Sequence, residues 1–213
     1  FQAEDGIRDV AVTGVQTCAF RSLIDRSGSA KQVGQLPATR ADLVAATVGS
    51  TAILAGGAGS GAPDPVVLAT SDGVAFTELG RLPVAVRYPA AAVLNGKLYL
   101  FGGELASGET AAIQAIDPAA GTAVEMGKLP ANLSHAMAFV LNGRIYLAGG
   151  RRAGTALKDL VTWDPATGKV ATAGSLPVAF SDGYAVTIGS RAFLVGGETS
   201  QVLDTIVALA PGG

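Results

Sequence analysis

Two dipeptides recur four times at a fixed mutual distance. Leu-Pro stands at 36–37, 82–83, 129–130 and 176–177, and Gly-Gly at 56–57, 102–103, 149–150 and 196–197. Each Leu precedes the next Gly-Gly by 20 residues, and successive repeats are offset by 46, 47 and 47. A period of this size, made of short apolar runs, marks units that cannot bury their faces alone and must stack on one another. It overrules the one or two domains that a length of 213 residues would suggest.

Within each repeat the chain reads as a meander. A small-residue apolar stretch follows Leu-Pro (43–48, 88–94, 135–141 and 183–188) and ends in a two-residue turn: Gly49-Ser50, Asn95-Gly96, Asn142-Gly143 and Gly189-Ser190. Asn-Gly favours a type I′ turn and Gly-Ser a type II′ turn, and both match the twist of a tight hairpin. Two chemical solutions at one aligned position predict a hairpin there. The second strand (51–55, 97–101, 144–148 and 191–195) runs straight into Gly-Gly, where glycine permits positive φ and close backbone approach. A third strand follows a variable loop (66–70, 111–116, 160–163 and 205–209). It closes in Asp72-Gly73 or in the turn sequences at 117–121 and 164–168. A fourth strand leads to the next Leu-Pro.

Composition agrees. Hydrophobic residues make up 49% and charged residues 15%, with 29 Gly and 10 Pro, the profile of short strands and many turns. A net charge of −2 argues against a nucleic-acid surface. No apolar run reaches the roughly 20 residues of a membrane helix. One cysteine, Cys18, and one histidine exclude an internal disulfide and cysteine- or histidine-rich metal centres. Walker, Gly-x-Ser-x-Gly and dinucleotide fingerprints are absent. The glycine-rich run at 56–61 follows a strand without a following helix and reads as a loop.

Residues 2–22 resemble the in-frame translation of a short-read sequencing adapter. The run 4–9 is what GAA GAC GGC ATA CGA GAT encodes. Val10-Ala11 stands where a variable index would lie, and 12–19 matches the segment after it. Residues 1–22 are therefore set aside as a non-native segment, and 23–213 as the folding unit, with repeats at about 36–81, 82–128, 129–175 and 176–213. Residues 23–35 read as the last strand of a preceding blade with its turn at 25–29. The last repeat stops after its third strand. A fragment cut at both ends is expected, its signal peptide lost; the rival is a closed four-bladed ring completed by the N-terminal strand.

The pattern strand, Asn-Gly, Lys/Arg-Leu/Ile-Tyr-Leu-x-Gly-Gly, loop, strand, Asp-Pro-x-x-Gly, strand, Leu-Pro resembles the kelch repeat. The match is best over 82–197 and weaker across 23–209. The resemblance implies an all-β fold, a kelch-type β-propeller fragment of about four blades, each a four-stranded antiparallel sheet. It departs from the family where Phe76, Ala123 and Val170 replace the fourth-strand tryptophan, and where Ile116 and Trp163 replace the tyrosine before Asp-Pro. Trp163 is expected to pack between blades.

Strand alternation brings the loops after Gly-Gly and after Leu-Pro to one face. That face should carry Arg40, Arg87, Glu104, His135, Arg151, Arg152 and Glu198. The loops after Gly-Gly vary most, as recognition loops do. Arg40 and Arg87 fit equally a structural arginine that bonds loop carbonyls. The resemblance implies a non-enzymatic module presenting loops to a protein or carbohydrate partner, with no cofactor. Its alternative is a carbohydrate-active enzyme of the sugar epimerase or mutarotase kind, with Glu104 or Glu198 and Arg87 as acid–base groups. The family's copper oxidases need more histidine and a cysteine-linked tyrosine than this chain supplies. Convergence of Arg87, Glu104 and a third polar group would favour the enzyme; a flat Ala-lined channel would favour the binding module. The Ala- and Gly-rich usage points to a GC-rich bacterial source and an extracellular or cell-envelope setting.

Overall fold

The computed structural model describes residues 20–24 and 30–210, with side chains from residue 34 onward. Most of the adapter-like segment with Cys18, the turn at 25–29, and residues 211–213 lie outside the described residues. Every regular element described is a β-strand. A two-stranded ribbon, β1 (Phe20–Ile24) and β2 (Ala30–Gln35), comes first. It stands in the place read as a single fourth strand, with Phe20–Ile24 as its antiparallel partner.

Blade one contains β3 (Ala41–Val48), β4 (Thr51–Ala58), β5 (Val66–Thr70) and β6 (Thr77–Arg81). Blade two begins with β7 (Ala90–Leu94) and β8 (Lys97–Phe101). It then carries a ribbon of β9 (Glu104–Leu105) and β10 (Gly108–Glu109), and ends with β11 (Ala112–Asp117) and β12 (Thr122–Lys128). Blade three repeats the plan: β13 (Met137–Leu141), β14 (Arg144–Ala148), the ribbon β15 (Arg151–Arg152) and β16 (Thr155–Ala156), then β17 (Asp159–Trp163) and β18 (Val170–Ser175). Blade four has three strands, β19 (Tyr184–Ile188), β20 (Arg191–Val195) and β21 (Ile206–Leu209). The four sheets are arranged as a four-blade β-propeller, each a plain antiparallel meander.

The turns take the forms their residues dictate. Asn95 and Gly96 have φ of 50° and 74°, and Asn142 and Gly143 have 51° and 71°, two positive values as type I′ requires. Gly49 and Gly189 supply the single positive φ, 61° and 60°, at the first position of the Gly-Ser turns.

The alternation of each strand explains why the blades stack. Met137, Phe139 and Leu141 on one face of β13 meet Ala192 and Leu194 of β20. The other face of blade three, with Ile145, Leu147 and Trp163, meets Ala90, Ala92, Tyr99 and Phe101 of blade two. Val44, Ala46 and Val48 of blade one meet Leu98 and Leu100 of β8 in the same register. Small residues in the first strands let these strands approach near the axis. Trp163, 1% exposed, sits between blades with its ring edge-on to Tyr99 and Phe101, centroids 5.1 and 5.2 Å apart.

Gly-Gly lies where one blade passes over the next. Gly102 has φ 62°, and a Cβ there would collide with the carbonyl oxygen of Leu133 in the following linker. Gly196 in blade four has the same φ class, but the nearest atom to its Cβ would be Leu203 O at 3.8 Å. The inner strands meet in the order β3, β7, β13, β19, and no comparable contact joins β19 to β3 among the described residues. Among the described residues β2 pairs with β1 and not with β21, so these strands do not complete a closed four-blade ring.

Candidate functional site

The sixth residue after each Leu of Leu-Pro is Asp42, Tyr88, His135 or Asp182. All four are non-glycine residues in the left-handed region, with φ of 61°, 53°, 54° and 56°. L-residues adopt this conformation at a cost of about 1–2 kcal/mol each, and such strain gathers at functional sites. Here it has a mechanical cause. Each residue bonds the next blade's equivalent: Tyr88 N donates to Asp42 O at 3.0 Å, His135 N to Tyr88 O at 3.1 Å, and Asp182 N to His135 O at 3.0 Å. The left-handed turn aims successive backbones at one another around the axis.

The preceding residue in each blade forms a bridge with the residue just after Gly-Gly: Arg87 with Glu104, Ser134 with Arg151, and Ser181 with Glu198. The two loops of a blade are thereby held side by side. Their side chains join the ladder. Glu104 accepts from Arg87 Nη2 at 3.1 Å, and its other oxygen lies 3.1 Å from His135 Nε2. His135 Nδ1 lies 2.5 Å from Asp182 Oδ1. Asp182 Oδ2 accepts from Ser181 Oγ at 2.8 Å and pairs with Arg151 Nη2 at 3.4 Å. Arg151 also donates from Nε to Ser181 Oγ at 2.8 Å, and its Nη2 pairs with Glu198. Tyr88 stacks on the His135 ring, centroids 4.1 Å apart and planes at 23°, and Arg87 lies over the opposite end of this group, 5.4 Å from the Tyr88 centroid.

Electrostatics follow from these contacts. Burial opposes a charge on His135, yet hydrogen bonds and attraction from Asp182 and Glu104 outweigh it and raise its pKa above the ordinary value. Burial would raise the Asp182 carboxyl, but His135, Ser181 and Arg151 together hold it below the usual carboxylate value. Burial, then a hydrogen bond to Asp42, pushes the Tyr88 phenol up.

Five of the seven sequence candidates meet in this cluster: Arg87, Glu104, His135, Arg151 and Glu198. Arg40 does not. Its side chain is 2% exposed, pairs with Asp64 at 2.5 Å and donates to Val66 O at 2.7 Å. Its guanidinium is committed to these contacts within blade one and stands apart from the cluster among the described residues. Arg152 points outward to Asp159 Oδ2 at 3.6 Å and to Asn132 O at 3.2 Å. It rims an open groove of about 300 Å³ floored by Leu129, Leu133, Leu147 and Val161. The sequence reading missed Asp42, Tyr88, Ser181 and Asp182. Their signal was the constant offset from Leu-Pro, hidden because the four residue types differ.

Among the described residues no group of three or more His, Cys, Asp and Glu side chains is arranged to hold a metal ion. No helix of the described residues is long and apolar enough to cross a membrane. No protein-family model matches the chain, and no curated protein matches it. Solved structures do. YjhT superposes with a TM-score of 0.76 over 87% of this chain and 71% of its own, at 15% sequence identity. At that identity the likeness carries the propeller fold alone.

Proposed function

We propose that the chain is a kelch-type propeller module whose loop face binds a carbohydrate at the mouth of the propeller axis. The observation that carries this reading is the meeting of Arg87, Glu104, His135, Arg151 and Glu198, with Tyr88 and Asp182, from three blades at one point. Such a cluster offers what a polyol needs: fixed carboxylate acceptors, guanidinium donors and an aromatic face within a few ångströms. A protein partner would instead use a broader surface with a buried apolar centre. Arg87 and Glu198 keep side-chain exposures of 43% and 41%, so the cluster is open to a ligand.

The test is a glycan array followed by calorimetric titration of the hits. Binding should fall at least tenfold, about 1.4 kcal/mol, in Arg87→Ala and in Glu104→Gln. It should be unchanged in Arg152→Ala, which is charged and exposed on the same face. Equal loss in all three variants, or no binding to any glycan, would remove this reading.

A second reading, sugar epimerase or mutarotase-like proton transfer, is favoured by one observation. Glu104, His135 and Asp182 form a chain of three proton-carrying groups in direct contact. Exchange between the anomers of a reducing sugar, followed by NMR saturation transfer, decides between the two. Accelerated exchange that is lost in Glu104→Gln supports the enzyme; binding without exchange supports the module.

A further inference from the structure

We propose that His135 is a proton-operated clasp that joins blades two, three and four at the axis, closed when both ring nitrogens carry protons and open when one does not. The geometry requires it. A neutral imidazole has one N–H and one lone pair. Both nitrogens of His135 face carboxylate oxygens, Glu104 Oε1 at 3.1 Å from blade two and Asp182 Oδ1 at 2.5 Å from blade four. Whichever nitrogen loses its proton turns a lone pair toward an anionic oxygen, and that bond becomes a repulsion.

The other charged groups around the ring make the opening clean. Blade two contributes Glu104, Tyr88 and Arg87; blade three contributes Arg151; blade four contributes Asp182 and Glu198; and Asp42 of blade one reaches the ring only through Tyr88. A released Glu104 keeps its pair with Arg87, and a released Asp182 keeps Ser181 Oγ and Arg151. Neither carboxylate is stranded. The clasp therefore has two defined arrangements that differ in whether His135 ties the blades, the two-state element a switch needs. The ring is 12% exposed in the side chain, so solvent can deliver and remove the proton.

The sign follows from linkage. His135 has its pKa raised in the fold. Its stabilisation is complete below the ordinary imidazole value of 6.5 and is lost as the pH rises through the higher folded value. The clasp stands on this geometry alone and does not depend on what the face binds.

The test uses the full chain, with ¹⁵N NMR of the imidazole and amide hydrogen exchange followed from below pH 6.5 upward through the titration of the ring. Both ring nitrogens should stay protonated to a higher pH than in an ordinary imidazole. Exchange at the Asp182 amide, which donates to His135 O, should quicken about tenfold beyond intrinsic base catalysis as the ring titrates. His135→Phe keeps a ring to stack on Tyr88 and should lose the step. If that variant does not fold, Asp182→Asn serves, since Asn tolerates the left-handed backbone. There the imidazole should titrate at lower pH, and the exchange step should move with it. A ring that loses a proton at or below the ordinary imidazole pH, or a step that stays at the same pH in Asp182→Asn, overturns the clasp.

Discussion

Four side chains of unlike chemistry, Asp42, Tyr88, His135 and Asp182, share one strained backbone conformation because their amides and carbonyls serve the ladder around the axis. The strain is common to all blades, and the side chains are free to differ. At this scale the acid limb of stability is a prediction. Asp182 has a lowered pKa, so its contribution is present above the ordinary value of 3.8 and is lost as the pH falls through the lowered one. Asp182→Asn should therefore flatten the decline of urea midpoint below about pH 4 while leaving the backbone intact. Glycine gives a second residue-scale prediction. Gly102→Ala meets both a positive φ and the Leu133 carbonyl, whereas Gly143, with φ 71°, has no atom within 4 Å of its Cβ. Gly102→Ala should cost at least about 3 kcal/mol and Gly143→Ala about 1 kcal/mol by denaturant titration.

At the scale of elements, each pair of third and fourth strands carries one bulge at the same place. The register shifts between Arg21 and Ser22, Val67 and Leu68, Ile113 and Gln114, and Leu160 and Val161. Opposite each shift lies a glycine two residues before Leu-Pro: Gly34, Gly80, Gly127 and Gly174. The recurring signature is thus Gly-x-Leu-Pro, and the bulge turns the strand end toward the linker. The linker is then pinned by a side chain. Gln114 is fully buried, and its amide donates to Val84 O and accepts from Val84 N, both at 2.9 Å. Gln114→Leu should cost about 2–4 kcal/mol, because it leaves the partly buried N–H and C=O of Val84 without their partner. Thermal unfolding of that variant checks it. These cases explain what the sequence could and could not reveal. Strand order, the hairpin turns and the loop face were legible because they depend on local spacing, and 97–101, 144–148 and 191–195 match β8, β14 and β20 to the residue. Gln114 was not legible, since its partner lies 30 residues away, off the repeat period. The Asp182–His135 contact spans one repeat of 47 residues, but the unlike residue types at that shared offset hid it. Arg40 was misleading for a related reason. It occupies the position of Val86, Leu133 and Phe180, but its guanidinium turns inward to Asp64.

At the scale of the whole molecule, one interface is repeated with different outcomes at its two faces. The tenth residue after Leu of Leu-Pro is Ala46, Ala92, Phe139 or Val186. The first three lie in clusters between blades, Phe139 at 5% exposure, while Val186 is 38% exposed beside Tyr184 at 44% and Ile188 at 64%. Val195 and Ile206, 40% and 65% exposed, extend the same apolar face across β20 and β21. A contiguous apolar sheet face of this kind promotes association in solution. The same substitution should therefore act in opposite ways at equivalent positions. Phe139→Thr removes a ring stacked on Tyr146, centroids 5.4 Å apart, and opens a cavity against blade four. It should cost about 3–5 kcal/mol. Val186→Thr combined with Ile188→Lys touches no neighbouring blade among the described residues, so its effect on stability should stay within about 0.5 kcal/mol. Sedimentation velocity over a concentration series should show less association for the double variant than for the parent chain. Equal destabilisation at the two sites would mean that the face of blade four is already covered in solution, and equal association would mean that this face does not drive self-contact.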